Sequence, residues 1–207
     1  MNSESHEGSI CLETLYLPPV SAFVMMQSFS SIVIDGDENF RKSTWRNRCT
    51  IINANGKLLL TVPIIGGRGV RSKTKDVRIA NDQPWQNIHW RSLIAAYGKS
   101  SFFIFYEEKF RVHYEKRFVF LIDFNIALLE ACFQILQWEK VILKNNSMHQ
   151  LEATSNPRLQ IPPHAKISKS YHQVFEARHG FISDVSIVDL IFNLGNEAQG
   201  YLKIYGS

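Results

Sequence analysis

Several kinds of segment are scarce or missing in this chain of 207 residues. Its three cysteines, Cys11, Cys49 and Cys132, lie far apart and have no CxxC spacing, which argues against a zinc ribbon and a disulfide framework. The first eight residues lack the cationic and apolar regions of a secretory signal peptide. No apolar run approaches the roughly 18 residues that a transmembrane helix needs. We therefore expect a cytoplasmic protein without a membrane span.

Metal-binding and nucleic-acid-binding patterns are missing as well. None of the seven histidines belongs to an HxH or HxxxH pattern, so the sequence predicts no histidine metal site. The aromatic residues recur at core-like spacings and accompany neither an RNP motif nor a helix-turn-helix pattern. These absences argue against a metal cofactor site built from histidines and against nucleic acid as the partner.

Acidic residues are missing from one long stretch. Residues 41–75 contain nine Lys or Arg and no Asp or Glu, although the whole chain has a net charge of only +4. The remaining residues carry 14 basic and 19 acidic side chains. A basic field concentrated in this way favours an anionic small-molecule partner, such as a phosphorylated or nucleotide-linked compound. A solvated basic hairpin would have the same composition, and that alternative stays open.

The composition itself is that of a globular protein, with 45% hydrophobic and 20% charged residues. We predict a single α/β domain over residues 10–205, preceded by a flexible N-terminus at 1–9. Its sheet is mixed and includes a β-hairpin at 45–62, because two β-prone runs flank Asn55-Gly56, a dipeptide suited to a tight turn. Helices are expected in the regions 85–138 and 186–205.

The individual elements follow from periodicity and from turn residues. Strands are predicted at 10–16, 31–34, 77–79 and 141–143, in addition to the hairpin. Helices are predicted at 20–29, 85–97, 102–114, 120–138, 187–195 and 196–205. A polar, proline-bearing loop is expected at 145–163. Ser186 and Asp189 have the spacing of a capping box at a helix start, and Asp123 and Asn125 are expected to cap the helix near 120.

The densest polar segment is 37–49. If a strand begins at Trp45, side chains alternate, so Arg46 and Arg48 share one face while Asn47 faces the core. Two guanidiniums with Lys42 nearby would hold phosphate or carboxylate oxygens. An edge strand with ordinary surface charges is the alternative. The substrate-binding residues that we predict are Asp37, Asn39, Lys42, Arg46, Asn47, Arg48 and Arg68.

Three further features leave two interpretations each. The Gly66–Gly69 loop around Arg68 either presents backbone N–H groups to a phosphate or is a plain connection. His89 lies one helical turn after Trp85, so it is either a packed core histidine or a catalytic general base in the same cleft as Arg48. Cys49 follows Arg48 and is either an activated nucleophile or a buried strand residue.

Motifs in a fixed order along residues 10–203 are similar to those of a known family. They comprise Tyr16 to Phe23; Asp37, Asn39, Phe40, Lys42, Trp45, Asn47 and Arg48; Ala54 to Gly56; Leu60 to Pro63; Trp85, His89 and Trp90; Ala96-Tyr97; Ser100 to Phe103; Asp123 to Asn125; Tyr171 to Phe175; and Ser186 to Leu190. In these blocks the chain resembles the WbqC-like protein family, in a shorter form.

The resemblance implies a place in bacterial surface-polysaccharide (O-antigen type) biosynthesis. With the basic segment, it predicts a protein that acts on an activated or nucleotide-linked sugar, with acyl or aminoacyl transfer as the candidate reaction. The alternative is a non-catalytic module that binds an anionic intermediate or a partner enzyme.

Overall fold

The computed structural model describes residues 6–66, 72–145 and 169–205. Over these ranges the chain forms a single α/β domain, as the sequence predicts. The strands are β1 (His6–Leu12), β2 (Phe29–Asp35), β3 (Arg48–Asn53), β4 (Gly56–Thr61) and β5 (Val141–Asn145). The helices are α1 (Val20–Met26), α2 (Trp85–Tyr97), α3 (Phe103–Glu115), α4 (Leu121–Ile135), α5 (Glu176–His179), α6 (Ile187–Leu194) and α7 (Glu197–Tyr205). A 3-10 turn covers Thr74–Asp76.

Three parallel strands form one sheet, in the order β1-β2-β5. Side chains alternate along a strand, so one face of this sheet carries the buried Leu12 and Ile34, which are paired in register. These two side chains line a small cavity together with Met26 of α1 and Leu129 of α4. Both helices therefore cover this face of the sheet, and the core lies between them and the strands.

Strand β1 differs from its prediction at both ends. It begins at His6, so residues 6–9, which were assigned to a flexible N-terminus, belong to the sheet. It ends at Leu12, whereas the prediction continued to Tyr16. Leu17 has a φ of 40° and two prolines follow it, which excludes regular extended structure there. Tyr16 instead turns inward and is fully buried.

The hairpin of β3 and β4 is confirmed, with a different turn and a later start. Asn53 pairs with Gly56, so the loop residues are Ala54 and Asn55. Gly56 has a φ of 100°, while neither loop residue has a positive φ. A type I′ turn, which requires a positive φ at both loop residues, is therefore excluded. The strand starts at Arg48 because residues 45–47 form a turn.

The central helices match their predicted positions closely. Helix α2 has the predicted bounds, and α4 buries most of its residues. The predicted strand at 77–79 consists of isolated bridges. The expected caps of α4 are absent, since its N-cap residue makes no side-chain cap hydrogen bond. Asp123 instead forms an ion pair with Lys144 at 2.7 Å, and Asn125 is buried.

The C-terminal helices pack on the same core. Helix α6 begins directly after Ser186, as predicted, but Ser186 makes no side-chain cap hydrogen bond, so the predicted capping box is wrong. The predicted loop at 145–163 falls almost entirely outside the described residues. No helix in the described ranges is both long and apolar enough to cross a membrane.

Candidate anion-binding site

The guanidinium of Arg46 is held by two carboxylates inside the protein. Its Nε and Nη2 donate to the two carboxylate oxygens of Glu38 at 2.8 and 2.6 Å. Nη2 also lies 2.5 Å from Glu13 Oε2. Burial alone would lower the pKa of Arg46, but the hydrogen bond to Glu38 and the charges of Glu13 and Glu38 outweigh burial and raise this pKa. Arg46 is therefore a buried, permanently charged residue that is bound to the protein itself.

The carboxylate of Glu38 is fixed by further bonds. Its Oε1 accepts the hydroxyl of Thr74 at 3.2 Å, and its backbone N–H donates to Asp35 Oδ1 at 3.1 Å. Asp35 is the last residue of β2, and Glu13 follows the last residue of β1. The ion-pair cluster of Glu13, Glu38 and Arg46 thus sits at the carboxyl ends of two parallel strands. Ligands of α/β sheets commonly bind at this edge, and here protein side chains occupy it.

Asn47 organises the turn before β3. Its Oδ1 accepts the backbone N–H of Ser43 at 3.1 Å, and its Nδ2 donates to the Val62 carbonyl at 3.1 Å. The side chain is buried, as the sequence predicts for a core-facing amide. Asn125 of α4 supports the same turn, since its Nδ2 donates to the carbonyl of Arg46 at 2.8 Å. Asn47 holds the backbone that leads into Arg48.

Arg48 differs from Arg46 in having no partner that the described residues supply. It is the first residue of β3 and pairs with Thr61 of β4. The side chain is half-buried, and its Nε is buried without a hydrogen-bond partner. The predicted alternation along a strand does not apply to Arg46, because that residue lies in the turn before β3. Of the two arginines that were predicted to hold an anion together, Arg46 is paired within the protein, and Arg48 has no partner among the described residues.

The remaining predicted binding residues lie in a loop that pairs with residues 72–75. Asp37 forms an ion pair with Lys75 at 2.6 Å, and Asn39 forms an isolated bridge with Lys73. The exposed Lys42 donates from Nζ to the carbonyl of Gly66 at 2.6 Å. Arg68 lies outside the described residues, so its role stays a prediction.

His89 occupies the core, which is the first of its two predicted interpretations. Its Nδ1 lies 2.8 Å from the hydroxyl of Tyr16, and its second partner is the backbone of Thr61. The side chain is 4% exposed, and burial lowers its pKa to about 4, while the bond with Thr61 acts in the opposite direction. The prediction that His89 lines a cleft as a general base is corrected, because the ring is sealed from solvent.

Cys49 belongs to the same buried group. Its thiol bonds with the Tyr16 hydroxyl, and that hydroxyl also lies 2.8 Å from Tyr114 Oη. Burial raises the pKa of Cys49, and the bond to Tyr16 offsets this only in part. A thiol of this kind is protonated and inert at neutral pH. The geometry favours a packing role for Cys49.

Two sets of largely buried acidic residues have roles in the structure that the sequence did not predict. The first consists of Glu13 and Glu38, which neutralise Arg46. The second is Asp189, whose Oδ2 accepts hydrogen bonds from Tyr171 at 2.9 Å and from Gln173 at 2.8 Å. Burial raises the pKa of Asp189 to about 6, and the hydrogen bonds oppose that shift. The sequence could have indicated a buried acid here, because Asp189 lies within a largely apolar helix. In the described ranges, no three His, Cys, Asp or Glu side chains are arranged to hold a metal ion.

The fold and this site define an α/β domain with a half-buried, unpaired arginine at the start of its hairpin. The chain belongs to the WbqC-like protein family, whose model matches residues 14–166. The family name is associated with polysaccharide-related genes. The chain is also similar to the uncharacterized protein Rv1507c of Mycobacterium tuberculosis, with 25% identity over 93% of this chain and 96% of that protein. No solved structure matches the chain significantly.

Proposed function

We propose that this protein binds a phosphorylated or nucleotide-linked sugar in bacterial surface-polysaccharide biosynthesis, and that Arg48 contacts the phosphate. The observation that carries the proposal is the buried Arg48 Nε, which has no hydrogen-bond partner among the described residues. A buried donor left unpaired costs about 1–3 kcal/mol, and more for a charged group. An anion that accepts from this guanidinium would remove that cost.

The surroundings of Arg48 support an anionic ligand in preference to a neutral one. The segment from 41 to 75 has no acidic residue, and the carboxylates of Glu13 and Glu38 are engaged by Arg46. The planar guanidinium donors match the oxygens of a phosphate as they match those of a carboxylate. Lys42 adds a positive charge from the same loop, and Arg68 is a further predicted contributor.

For the chemistry, we propose transfer of an acyl or aminoacyl group to the bound sugar, on the basis of the family context. The burial of His89 and Cys49 favours a second candidate, a non-catalytic module that binds an anionic intermediate. Neither side chain reaches a ligand, so neither supplies a base or a nucleophile. Both candidates bind the anion at the same site. They differ in whether the protein then catalyses a reaction.

Calorimetric titration tests the anion site that both candidate functions require. We expect UDP-glucose or glucose 1-phosphate to bind more weakly as salt increases, because the contact is ionic. Arg48→Ala should weaken binding by about 10- to 100-fold, which corresponds to one or two charge-assisted hydrogen bonds. Arg91→Ala is the matched control, since Arg91 is exposed on α2. Equal affinity in wild type and Arg48→Ala would refute the anion site.

An activity assay then separates the two candidates. The protein is incubated with UDP-sugars and with acyl-coenzyme A or aminoacyl donors, and products are detected by mass spectrometry. An acylated sugar supports the transferase. Binding that is weakened by Arg48→Ala, without any product, supports the non-catalytic module.

A further inference from the structure

The hairpin of β3 and β4 has a polar face beside Arg48. Side chains alternate along each strand, and residues paired across the strands share a face, so Arg48, Thr50 and Thr61 lie on the same side. The opposite side carries Cys49 and Leu60, which are buried in the core. We call the side with Arg48 the outer face of the hairpin. Around the start of β3, this outer face holds one guanidinium and two hydroxyl groups.

The strand register sets the spacing of these three residues. Arg48 is directly opposite Thr61, and Thr50 is opposite Leu59. Residues that face each other across antiparallel strands have Cβ atoms about 4.5–5.5 Å apart. Residues two apart on one strand are separated by roughly 7 Å. At this spacing, one bound anion can contact the guanidinium and both hydroxyls.

The three side chains are open to a ligand. In the described ranges, the hydroxyls of Thr50 and Thr61 have no hydrogen-bond partner, and neither oxygen is among the buried unpaired atoms, so both reach solvent. The two Nη atoms of Arg48 reach solvent for the same reason, although its Nε is buried. Leu59 lies on the same face and is 50% exposed. The outer face is therefore accessible at the position of Arg48.

The backbone at the start of the hairpin is held in place. The Val62 N–H donates to the Asn47 carbonyl at 2.8 Å, and Asn47 Nδ2 donates to the Val62 carbonyl at 3.1 Å. On the other edge of β3, the Ser186 N–H donates to the Thr50 carbonyl at 2.8 Å. A site on a fixed backbone loses little free energy through ordering when a ligand binds.

The number of donors on the outer face distinguishes one kind of anion from another. A guanidinium can donate to two oxygens at once, which engages both oxygens of a carboxylate. A phosphate monoester has a third terminal oxygen, and a neighbouring hydroxyl can donate to it. We propose that Thr50 and Thr61 donate to the phosphate oxygens that Arg48 leaves free, and that they give the site a preference for phosphate over carboxylate. This inference rests on the proposed function.

The preference narrows the class of ligand. A sugar whose only charge is a carboxylate, such as a uronic acid, is attracted to the same arginine but gains nothing from the two hydroxyls. Sugar phosphates and nucleotide-linked sugars gain from both. The segment from 41 to 75, which contains the whole hairpin, has no acidic side chain that would repel them.

The test compares phosphate and carboxylate ligands by calorimetry on the full chain. Dissociation constants are measured for glucose 1-phosphate, UDP-glucose and glucuronate. In the wild type we expect a phosphate compound to bind more tightly than glucuronate by about tenfold or more. Thr61→Val should weaken phosphate binding by about fivefold to tenfold, as expected for one hydrogen bond to a charged group, and leave glucuronate within about twofold. Thr50→Val combined with Thr61→Val should remove most of the preference.

The controls isolate the hydroxyl group. Valine changes no charge and suits a β-strand, so a loss confined to phosphate ligands reports the missing hydroxyl. Thr61→Ser keeps the hydroxyl and should retain the phosphate affinity within about twofold. Ser101→Ala removes an exposed hydroxyl outside the hairpin and should change nothing. Circular dichroism checks folding, and Thr61→Ala replaces Thr61→Val if the valine variant does not fold.

The outcomes separate the two proposals. If glucose 1-phosphate or UDP-glucose binds and Arg48→Ala weakens it, the anion site stands. The role of the threonines is then refuted if the wild type binds glucuronate as tightly, or if the double valine variant keeps its phosphate affinity. It is also refuted if that variant loses phosphate and glucuronate affinity equally, as a purely structural role would predict. If neither phosphate compound binds, or if Arg48→Ala changes nothing, both proposals fall.

Discussion

Replacing Arg46 by methionine should remove a large part of the stability of this protein. The change keeps a long side chain in place but leaves Glu38 and Glu13 without their cation. The side chains of Arg46, Glu38 and Glu13 are only 6%, 4% and 15% exposed, so solvent screens their interaction little. Breaking a buried ion pair by removing one partner costs about 3–5 kcal/mol. A domain typically has only about 5–15 kcal/mol in total.

Urea unfolding followed by circular dichroism measures this loss. A change of that size shifts the midpoint by roughly 1–3 M urea. The matched control is Arg48→Met, two residues away, which we expect to cost less than about 1 kcal/mol because the described residues give its guanidinium no partner. The reasoning fails if the two variants are equally stable.

A double variant provides a second check. In Arg46→Met the carboxylate of Glu38 is left buried without its cation, which is the costly state of such a pair. Glu38→Gln in the same background removes that uncompensated charge and should recover stability in urea unfolding. Equal stability of Arg46→Met and the double variant would contradict the ion-pair argument.

The remaining predictions concern two buried groups with opposite pH linkage. His89, with its pKa lowered from 6.5 to about 4 by burial, contributes roughly 3 kcal/mol that is present above pH 6.5 and lost as the pH falls to 4. His89→Gln should abolish this acid-induced loss while leaving anion affinity within twofold; an unchanged loss contradicts the assignment. Asp189, with its pKa raised from 3.8 to about 6 by burial, contributes roughly 3 kcal/mol that is present below pH 3.8 and lost as the pH rises to 6. Asp189→Asn should therefore gain stability over wild type between pH 4 and 7 in urea titrations, and a constant difference would contradict it.

The elements of this fold that local chemistry specifies were predictable from the sequence. The hairpin follows from β-prone runs around a glycine that adopts a positive φ, and α2 lies between Pro84 and Gly98. The position of the turn was not predictable at the same level, because it depends on which residues pair across the strands. The end of β1 depends on Tyr16 reaching partners in α2 and α3, which are distant in sequence.

The candidate site was likewise predictable from the sequence only in part. The sequence indicates that 41–75 is basic, and Arg48 remains a candidate for that reason. It does not reveal that Arg46 is neutralised, since one of its partners, Glu13, lies at the end of a different strand. His89 was open to two interpretations, and only the position of the Tyr16 hydroxyl distinguishes between them. Burial of a charged or titratable group is a property of the packed chain and leaves little trace in local sequence.

The order β1-β2-β5 has a consequence for synthesis on the ribosome. Strand β2 ends at Asp35 and its second neighbour begins at Val141, so about 5–20 s of translation separate them at typical elongation rates. During this interval one edge of β2 has no strand to pair with. Unpaired edges promote association between chains. The hairpin and helices α2 to α4 emerge in that interval, and their early folding over the core face would limit how long the nascent sheet is exposed.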